Sequence, residues 1–260
     1  MSGDLGRFTW YELLTSDPQG GIDFYTKLVG WGTMTWEGDM PYDMFTVGDN
    51  PIAGVMQLPE EAKAAGAPPH WLGYVYTPDL DGTTAKAREL GGNVLNEIAL
   101  PDIGRIAILA DPQGGVIAVF QPANDPQPEH DAGIGEFSWH ELMTTDYEAA
   151  FDFYSQLFGW ELSKDMDMGE HGVYRLFGRN GKELGGMFNK PPEVPAPAWL
   201  YYANVESCHD AATATAELGG QVVNGPMEVP GGGFIVHGMD PQGAMFALYQ
   251  IALAAAEAES

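Results

Sequence analysis

The start of the chain alternates between two sets of side chains, which is the two-residue period of a β-strand. One set is Phe8, Trp10, Glu12 and Leu14, and the other is Thr9, Tyr11 and Leu13. The pattern then becomes helical over residues 18–29, after Asp17 as the N-cap and before Gly30 as the stop. Strand-like segments follow at residues 33–37, 42–47 and 52–58. These segments together predict one β-α-β-β-β unit.

The same order of elements is predicted again after a connection rich in Pro, Ala and Glu at residues 59–69. Residues 71–77 have the character of a strand, and a helix is predicted over residues 80–90, where a Gly-Gly pair stops it. Three further strands are predicted over residues 93–100, 104–110 and 115–121. The first part of the chain is therefore predicted to hold two β-α-β-β-β units.

The second half of the chain repeats this pattern. FTWYELLTSD at residues 8–17 returns as FSWHELMTTD at residues 137–146, an offset of 129 residues. The hairpin sequence DPQG at residues 111–114 returns at residues 240–243 with the same offset. The chain is thus predicted to be one domain written twice.

The boundary between the two copies is predicted from composition. Residues 123–136 are rich in Pro, Asp and Gly and carry few large apolar side chains, which is typical of a linker. The predicted domains are residues 1–122 and residues 137–260. The end of the second domain, residues 252–260, is predicted to be a frayed helix with no apolar face to bury.

The net charge of the chain argues against some classes of binding partner. Lys and Arg number 11 against 37 Asp and Glu, a net charge of −26, which argues against nucleic acid and anionic membranes as partners. We interpret the acidity as a means of keeping the surface hydrated.

Cys208 is the single cysteine, and the segment MSGDLGRF lacks the apolar stretch of a signal peptide. A cytoplasmic protein, either monomeric or homodimeric, is expected.

The repeated motifs resemble those of the vicinal oxygen chelate superfamily, which includes glyoxalase I, bleomycin-resistance proteins and extradiol dioxygenases. The resemblance rests on the first strand ending in Asp, the FY-to-GW helix exit, the LGG helix stop and the DPQG hairpin, each present twice. It implies an α+β fold of two tandem glyoxalase-like domains. Each domain would consist of two β-α-β-β-β units that form a cleft.

The resemblance also implies where a metal ion would be held in metal-dependent members, with one ligand from each of four strands. Counting from the shared motifs places these positions at Trp10, Leu72 and Ala118 in the first copy and at Trp139, Leu200 and Ala247 in the second. The remaining position lies near Gly54 and near Gly185, to within a residue or two. Metal ligands are imidazole, carboxylate or similar donors, and none of these side chains offers one. We therefore expect no metal and no cofactor.

The candidate site residues follow from strand alternation. Glu12 and Glu141 are predicted to face the clefts beside Trp10 and Trp139, where a carboxylate can bind a polar ligand group or act as a general base. The competing interpretation is that both carboxylates bond to neighbouring groups within the fold. His237 is a third candidate for acid–base chemistry. His140 is predicted to lie on the opposite face, in the core or beneath the helix, unless the register is shifted by one residue.

The candidate ligand-binding residues are mostly apolar. They are Trp10, Trp139, Trp36, Tyr42, Met44, Leu72, Leu200 and Arg175. Aromatic and Met side chains line sites for planar ligands, although the same residues are also typical of a core. Arg175 has no counterpart in the first copy and could meet an anionic ligand, in which case the two copies would bind different molecules.

Two classes of function remain open at this point. The leading hypothesis is a metal-independent small-molecule binding protein, similar to the bleomycin-resistance proteins of the superfamily, with aromatic walls and a carboxylate at the polar edge of the ligand. The alternative is a glyoxalase-like enzyme, a lyase, isomerase or hydroxylase/dioxygenase-like protein. Such an enzyme would use Glu12, Glu141 or His237 for acid–base chemistry, or a metal site at residues other than those counted here. A third possibility is that only one copy binds a ligand.

Overall fold

The computed structural model describes residues 4–38, 41–124, 128–230 and 232–252. Two successive series of eight strands run through these residues. The first series is β1 (Phe8–Thr15), β2 (Gly32–Trp36), β3 (Tyr42–Val47), β4 (Asn50–Gln57), β5 (His70–Tyr76), β6 (Asn93–Leu100), β7 (Gly104–Ala110) and β8 (Val116–Pro122). The second is β9 (Phe137–Thr144), β10 (Glu161–Asp167), β11 (Val173–Arg179), β12 (Lys182–Asn189), β13 (Ala198–Asn204), β14 (Gln221–Val229), β15 (Gly233–Met239) and β16 (Met245–Gln250).

Four longer helices occupy equivalent places in the two copies, and a shorter one precedes β5. They are α1 (Pro18–Leu28), α2 (Glu60–Ala64), α3 (Leu80–Glu89), α4 (Tyr147–Phe158) and α5 (Cys208–Glu217). A 3₁₀ turn, Gly169–His171, lies between β10 and β11. The predicted helices at residues 18–29 and 80–90 are confirmed. Helix α2 lies in the segment that was predicted only as a connection, because one turn and a half is too short to show a periodic pattern.

The helix starts follow the capping rule that the sequence indicated. The side chain of Asp17 accepts a hydrogen bond from Gly20 N at the start of α1, and Asp146 accepts one from Ala149 N at the start of α4. Each cap satisfies a main-chain N–H that has no partner within its own helix. The repeated Asp at the end of strand one therefore has a local structural role in both copies.

Each copy contributes one mixed sheet of eight strands. The strand order is β2-β3-β4-β1-β5-β8-β7-β6 in the first sheet and β10-β11-β12-β9-β13-β16-β15-β14 in the second. The central pairs β5–β8, β9–β12 and β13–β16 are parallel, whereas the outer hairpins are antiparallel. The predicted α+β fold of two tandem glyoxalase-like domains is confirmed.

Contacts between Cα atoms divide the chain into two compact units that do not follow the sequence repeat. Among the described residues, the first unit comprises the segment that ends at Tyr11 together with Leu72–His130 and Trp139–Leu200. The second unit comprises Glu12–Trp71, Asp131–Ser138 and the segment from Tyr201 onward. Each unit thus combines half of one copy with half of the other.

Both units have an aromatic core built from equivalent residues. In the first unit Tyr154, Trp160, Phe177 and Trp199 pack against one another, and in the second unit Tyr25, Trp31, Phe45 and Trp71 do so. All eight are buried, and such rings bury large areas of apolar surface. The FY and GW motifs recognised in the sequence supply four of these eight rings.

The end of the predicted linker makes specific hydrogen bonds within the second unit. Trp31 Nε1–H donates to Gly135 O at 2.7 Å, and Asn204 Nδ2 donates to Ala132 O and Gly133 O. The assignment of residues 123–136 as a linker stays a prediction from composition.

The helical tail predicted at residues 252–260 lies outside the described residues beyond Ala252. No helix in the described part of the chain is long and apolar enough to span a membrane.

Candidate functional site

The positions that were counted from the sequence as metal-ligand positions carry no donor side chains in this chain. Trp10 lies on β1 and Ala118 on β8, as counted from the sequence, while β4 supplies Gly54 and β5 supplies Leu72. Indole, methyl and isobutyl groups do not coordinate divalent ions. The described residues also contain no group of three or more His, Cys, Asp or Glu placed to hold a metal ion. The side chains present therefore do not fit the metal of the metal-dependent relatives.

A tyrosine and a glutamate are paired in the first copy, within the second unit. Tyr42 Oη donates to Glu12 Oε1 at 2.7 Å, and Glu12 is only 6% exposed. The phenol reaches the carboxylate by passing over Gly54, where an added Cβ would lie 1.7 Å from Tyr42 Oη. Any other residue at position 54 would displace the tyrosine. The absence of a side chain at Gly54 is thus what allows this pair to form.

The second copy has the equivalent pair in the first unit, extended by an indole. Trp139 Nε1–H donates to Tyr174 Oη at 2.9 Å, and Tyr174 O–H donates to Glu141 Oε2 at 2.9 Å. Gly186 on β12 lies directly opposite Glu141 on β9, and its Cβ would lie 2.1 Å from Tyr174 Cζ. Burial and the nearby charge of Glu141 raise the pKa of Tyr174 well above its ordinary value. The phenol therefore keeps its proton and acts as a fixed donor to the carboxylate.

The sequence did not single out Tyr174, and the count from the motifs fell near Gly185, one residue before the glycine that lies beneath this ring. The glycine beneath the ring is Gly186, whereas a Cβ on Gly185 would meet the main chain of β9. A signal was present, because Tyr42 and Tyr174 both precede their glycine by 12 residues. The segment from the GW motif to this tyrosine is three residues longer in the second copy. The offset therefore changes from 129 to 132 residues, which hid the correspondence.

The predicted acid–base candidate His237 lies on β15 in the second unit. Its Nε2 is 2.8 Å from Tyr202 Oη, and the two rings meet edge to face. Burial lowers the pKa of His237 to about 4, because a charged imidazole is poorly solvated there. At neutral pH the ring is uncharged. It can therefore accept a hydrogen bond at one nitrogen while donating at the other.

The predicted apolar contacts differ in how much surface they present. Trp10 and Met44 are partly exposed, and Trp36 is 48% exposed on the edge strand β2. Leu72 and Leu200 are almost completely buried, so they present little surface to a ligand. The roles of these five residues as ligand contacts stay predictions.

Arg175 is held by neighbours of its own unit. Its guanidinium forms a bidentate pair with Asp165, through Nε at 2.8 Å and Nη2 at 2.7 Å, and it lies over the rings of Tyr147 and Phe151. A hydrogen bond from Arg175 lowers the pKa of Asp165. An anionic ligand at Arg175 would therefore have to compete with this carboxylate.

His140 is a core residue, as predicted from strand alternation. Its Nδ1–H donates to Leu184 O at 2.6 Å, and its Nε2 is 2.6 Å from Tyr11 Oη. The imidazole stacks on Phe8 with 3.7 Å between ring centres. Complete burial lowers the pKa of His140 to about 3. The ring is therefore neutral and fully engaged within the first unit.

A family model also matches the sequence of the chain. The model described as the Glyoxalase/Bleomycin resistance protein/Dioxygenase superfamily matches residues 7–119 and again residues 134–248. The chain belongs to this superfamily. The two matched regions correspond to the two copies recognised from the repeat, so membership applies to both halves.

Similar proteins cover nearly the whole chain. The "Putative glyoxylase CFP32" of Mycobacterium tuberculosis (strain CDC 1551 / Oshkosh) is 30% identical over 248 residues, 94% of each chain. The "Anthracycline biosynthesis protein DauV" of Streptomyces sp. (strain C5) is 27% identical over 266 residues, covering 95% of this chain and 94% of the relative. Among solved structures, the 2,3-dioxygenase LapB from Pseudomonas sp. KL28 has a TM-score of 0.67 at 14% identity, covering 96% of this chain and 94% of that chain. At that identity the structural likeness shows the fold alone.

Proposed function

We propose that the protein binds planar aromatic small molecules without a metal ion, using the tyrosine–glutamate pair in each copy. The observation that carries this proposal is the position of the pair. A tyrosine ring lies over Gly54 in the first copy and over Gly186 in the second, and each ring donates to a buried glutamate. Beside the positions that the resemblance assigns to metal ligands, this chain has an aromatic ring and a carboxylate.

The side chains suit a flat ligand with hydrogen-bond donors at its edge. Tyr42, Trp139 and Tyr174 are partly exposed, and faces of this kind stack on aromatic rings at small entropic cost. Glu12 and Glu141 each accept a hydrogen bond from a tyrosine. A carboxylate can accept hydrogen bonds from several donors, and an amino group of the ligand would be one of them.

The relatives support this ligand class. One relative is described as an anthracycline biosynthesis protein, and anthracyclines contain fused planar rings. The description of the superfamily includes bleomycin-resistance proteins. These descriptions concern other proteins, and they make an aromatic ligand a reasonable first choice for testing.

A metal-free enzyme is the second candidate, and the same pairs are the observation that favours it. Each Tyr–Glu contact is an O–H···O hydrogen bond of 2.7–2.9 Å, and it orients a buried carboxylate that can accept a proton from a bound ligand. Glu12 or Glu141 would then be the general base. Turnover retained in an E12Q/E141Q double variant would rule this candidate out for any reaction that the wild type catalyses.

The binding proposal is tested by fluorescence titration with proflavine, a planar molecule with an amino group at each end. Chelator and about 0.3 M salt are included, because an ionic strength of that order shortens the screening length and suppresses non-specific attraction to an acidic surface. Saturable binding is expected, and E141Q should weaken it about tenfold through loss of a charged acceptor. Y147F, which keeps the ring and removes a hydroxyl outside the pair, is the matched control. No saturable binding, or equal affinity in E141Q and wild type, would contradict the proposal for the second copy.

A further inference from the structure

Three side chains lie side by side on neighbouring strands of the second unit. Ala247 on β16 pairs with Tyr202 on β13 and with His237 on β15, so all three occupy one register across the sheet. Residues directly opposite one another in a sheet project from the same face. The short Ala247 side chain leaves room for Tyr202 Oη and His237 Nε2 to meet at 2.8 Å. We call Tyr202, Ala247 and His237 the second-copy row.

The first copy has the same row without the histidine. Ala118 on β8 pairs with Tyr74 on β5 and with Ile108 on β7. The next strand outward supplies an asparagine in both copies, Asn96 opposite Ile108 and Asn224 opposite His237. The two rows therefore differ in this one position, where the second copy has an imidazole and the first copy has the sec-butyl side chain of isoleucine.

The imidazole of His237 has hydrogen-bonding capacity that the fold does not use. Tyr202 engages Nε2, and no other described residue is a hydrogen-bond partner of the ring. The side chain is only partly buried, and no described residue forms a hydrogen bond with Nδ1. In the tautomer with the proton on Nε2, Nε2–H donates to Tyr202 Oη and Nδ1 is an acceptor. The lowered pKa of about 4 keeps the ring in this neutral state at physiological pH.

We propose that the second-copy row is a binding site for a phenolic hydroxyl group, with the ligand O–H donating to His237 Nδ1 and Tyr202 fixing the ring through Nε2. The first copy lacks this acceptor, so the two copies differ in ligand selectivity. This inference rests on the proposed binding of planar aromatic molecules. It adds a selectivity for hydroxylated ligands that the tyrosine–glutamate pairs do not supply.

The repeat provides the variant that separates binding from folding. His237→Ile converts the second-copy row into the sequence of the first, where isoleucine already sits beside Ala118 and across from Tyr74 in the same register. The variant is therefore expected to fold. Ile108→His is the reciprocal change and builds the imidazole into the first copy.

The experiment compares 2-naphthol with 2-methoxynaphthalene by equilibrium fluorescence titration of the full chain. The two probes share one ring system, and only 2-naphthol has a hydroxyl proton to donate. We expect wild type to prefer 2-naphthol by about tenfold, the effect of one hydrogen bond to a buried acceptor. His237→Ile should remove this preference, so that the variant binds the two probes with equal affinity. Ile108→His should add a second site with the same preference.

Each other outcome counts against the inference. Equal affinity of wild type for the two probes, or an undiminished preference in a folded His237→Ile, would overturn it while proflavine binding still supports the proposed function. If neither naphthalene nor proflavine binds, the proposed function fails and the inference falls with it. If His237→Ile does not fold, Tyr202→Phe gives the answer, since loss of the Tyr202 hydroxyl should reduce the preference, and a preference that stays at the wild-type value would overturn the proposal.

Discussion

Tyr11 and His140 occupy the same position in the two copies, 129 residues apart, and they are hydrogen bonded to each other at 2.6 Å. Both belong to the first compact unit. Because His140 Nδ1–H donates to Leu184 O, the neutral ring has its acceptor nitrogen facing Tyr11. The phenol then supplies the donor. The two copies have thus diverged at one position into a complementary donor and acceptor.

The burial of His140 makes the stability of the protein dependent on pH. The folded pKa of His140 is about 3, below the ordinary value of 6.5, so protonation favours the unfolded chain. Its contribution is complete above pH 6.5 and is lost as the pH falls from 6.5 towards 3. Within that window we expect a loss of about 1.4 kcal/mol per pH unit from this one group.

His140→Phe isolates the effect, because it retains the stacking on Phe8 and removes the titrating group. The free energy of unfolding, measured with urea between pH 7 and 4, should fall less steeply in the variant than in wild type. His237 also has a lowered pKa, while Asp111 and Asp240 have raised ones, but these groups are common to both proteins. If the free energy of unfolding falls equally steeply with pH in His140→Phe and in wild type, His140 does not titrate as described.

The glycine beneath each tyrosine is the second testable feature. Gly186→Ala would place a Cβ 2.1 Å from Tyr174 Cζ, so the ring must move and lose its hydrogen bonds to Trp139 and Glu141. We expect a destabilisation of about 1–3 kcal/mol, typical of overpacking, together with weaker proflavine binding. Urea unfolding and fluorescence titration measure the two effects.

Gly133→Ala is the control for this substitution. The nearest atom to a Cβ there is Glu136 Oε2 at 3.5 Å, an ordinary contact. The control should change neither stability nor affinity appreciably. A Gly186→Ala protein that behaves like the control would mean that Tyr174 does not lie over this glycine.

Two buried tyrosine–aspartate bonds give a third prediction. Tyr154 Oη donates to Asp111 Oδ2 in the first unit, and Tyr25 Oη donates to Asp240 Oδ2 in the second, at 3.1 Å or less. Removal of either phenol leaves a buried carboxylate short of a donor, at a cost of about 1–3 kcal/mol.

Tyr154→Phe and Tyr25→Phe should therefore lower the free energy of unfolding by similar amounts in urea titrations. Tyr147→Phe is again the comparison, since its ring contact with Arg175 does not need the hydroxyl. A destabilisation in only one of the two variants would contradict the equivalence of the DPQG turns in the two copies.

The fold could be predicted from the sequence because the signals for its helices and strands are local and occur in both copies. Asp17 and Asp146 mark helix starts, and the aromatic residues after them fill the two cores. Short-range periodicity and helix capping are sufficient to predict these helices and strands. The compact units were not predicted, because they depend on which halves of the chain meet and no local pattern records that.

The candidate site was only partly predictable. Alternation correctly placed Glu12 and Glu141 on strands β1 and β9, but it could not show that each carboxylate meets a tyrosine from another strand. That contact depends on the register between β3 and β4, or between β11 and β12, and on a glycine beneath the ring. The pairing of His237 with Tyr202 likewise depends on three strands being in register.

The most direct test of metal-independent binding combines two readings on one sample. Protein treated with chelator is analysed for bound nickel, zinc, iron and manganese, and the same preparation is titrated with proflavine. We predict saturable binding by protein that holds far less than one metal ion per chain, with no gain in affinity when each metal is added back. Binding that appears only after stoichiometric metal is restored would contradict the account and would place a metal site at residues other than those counted here.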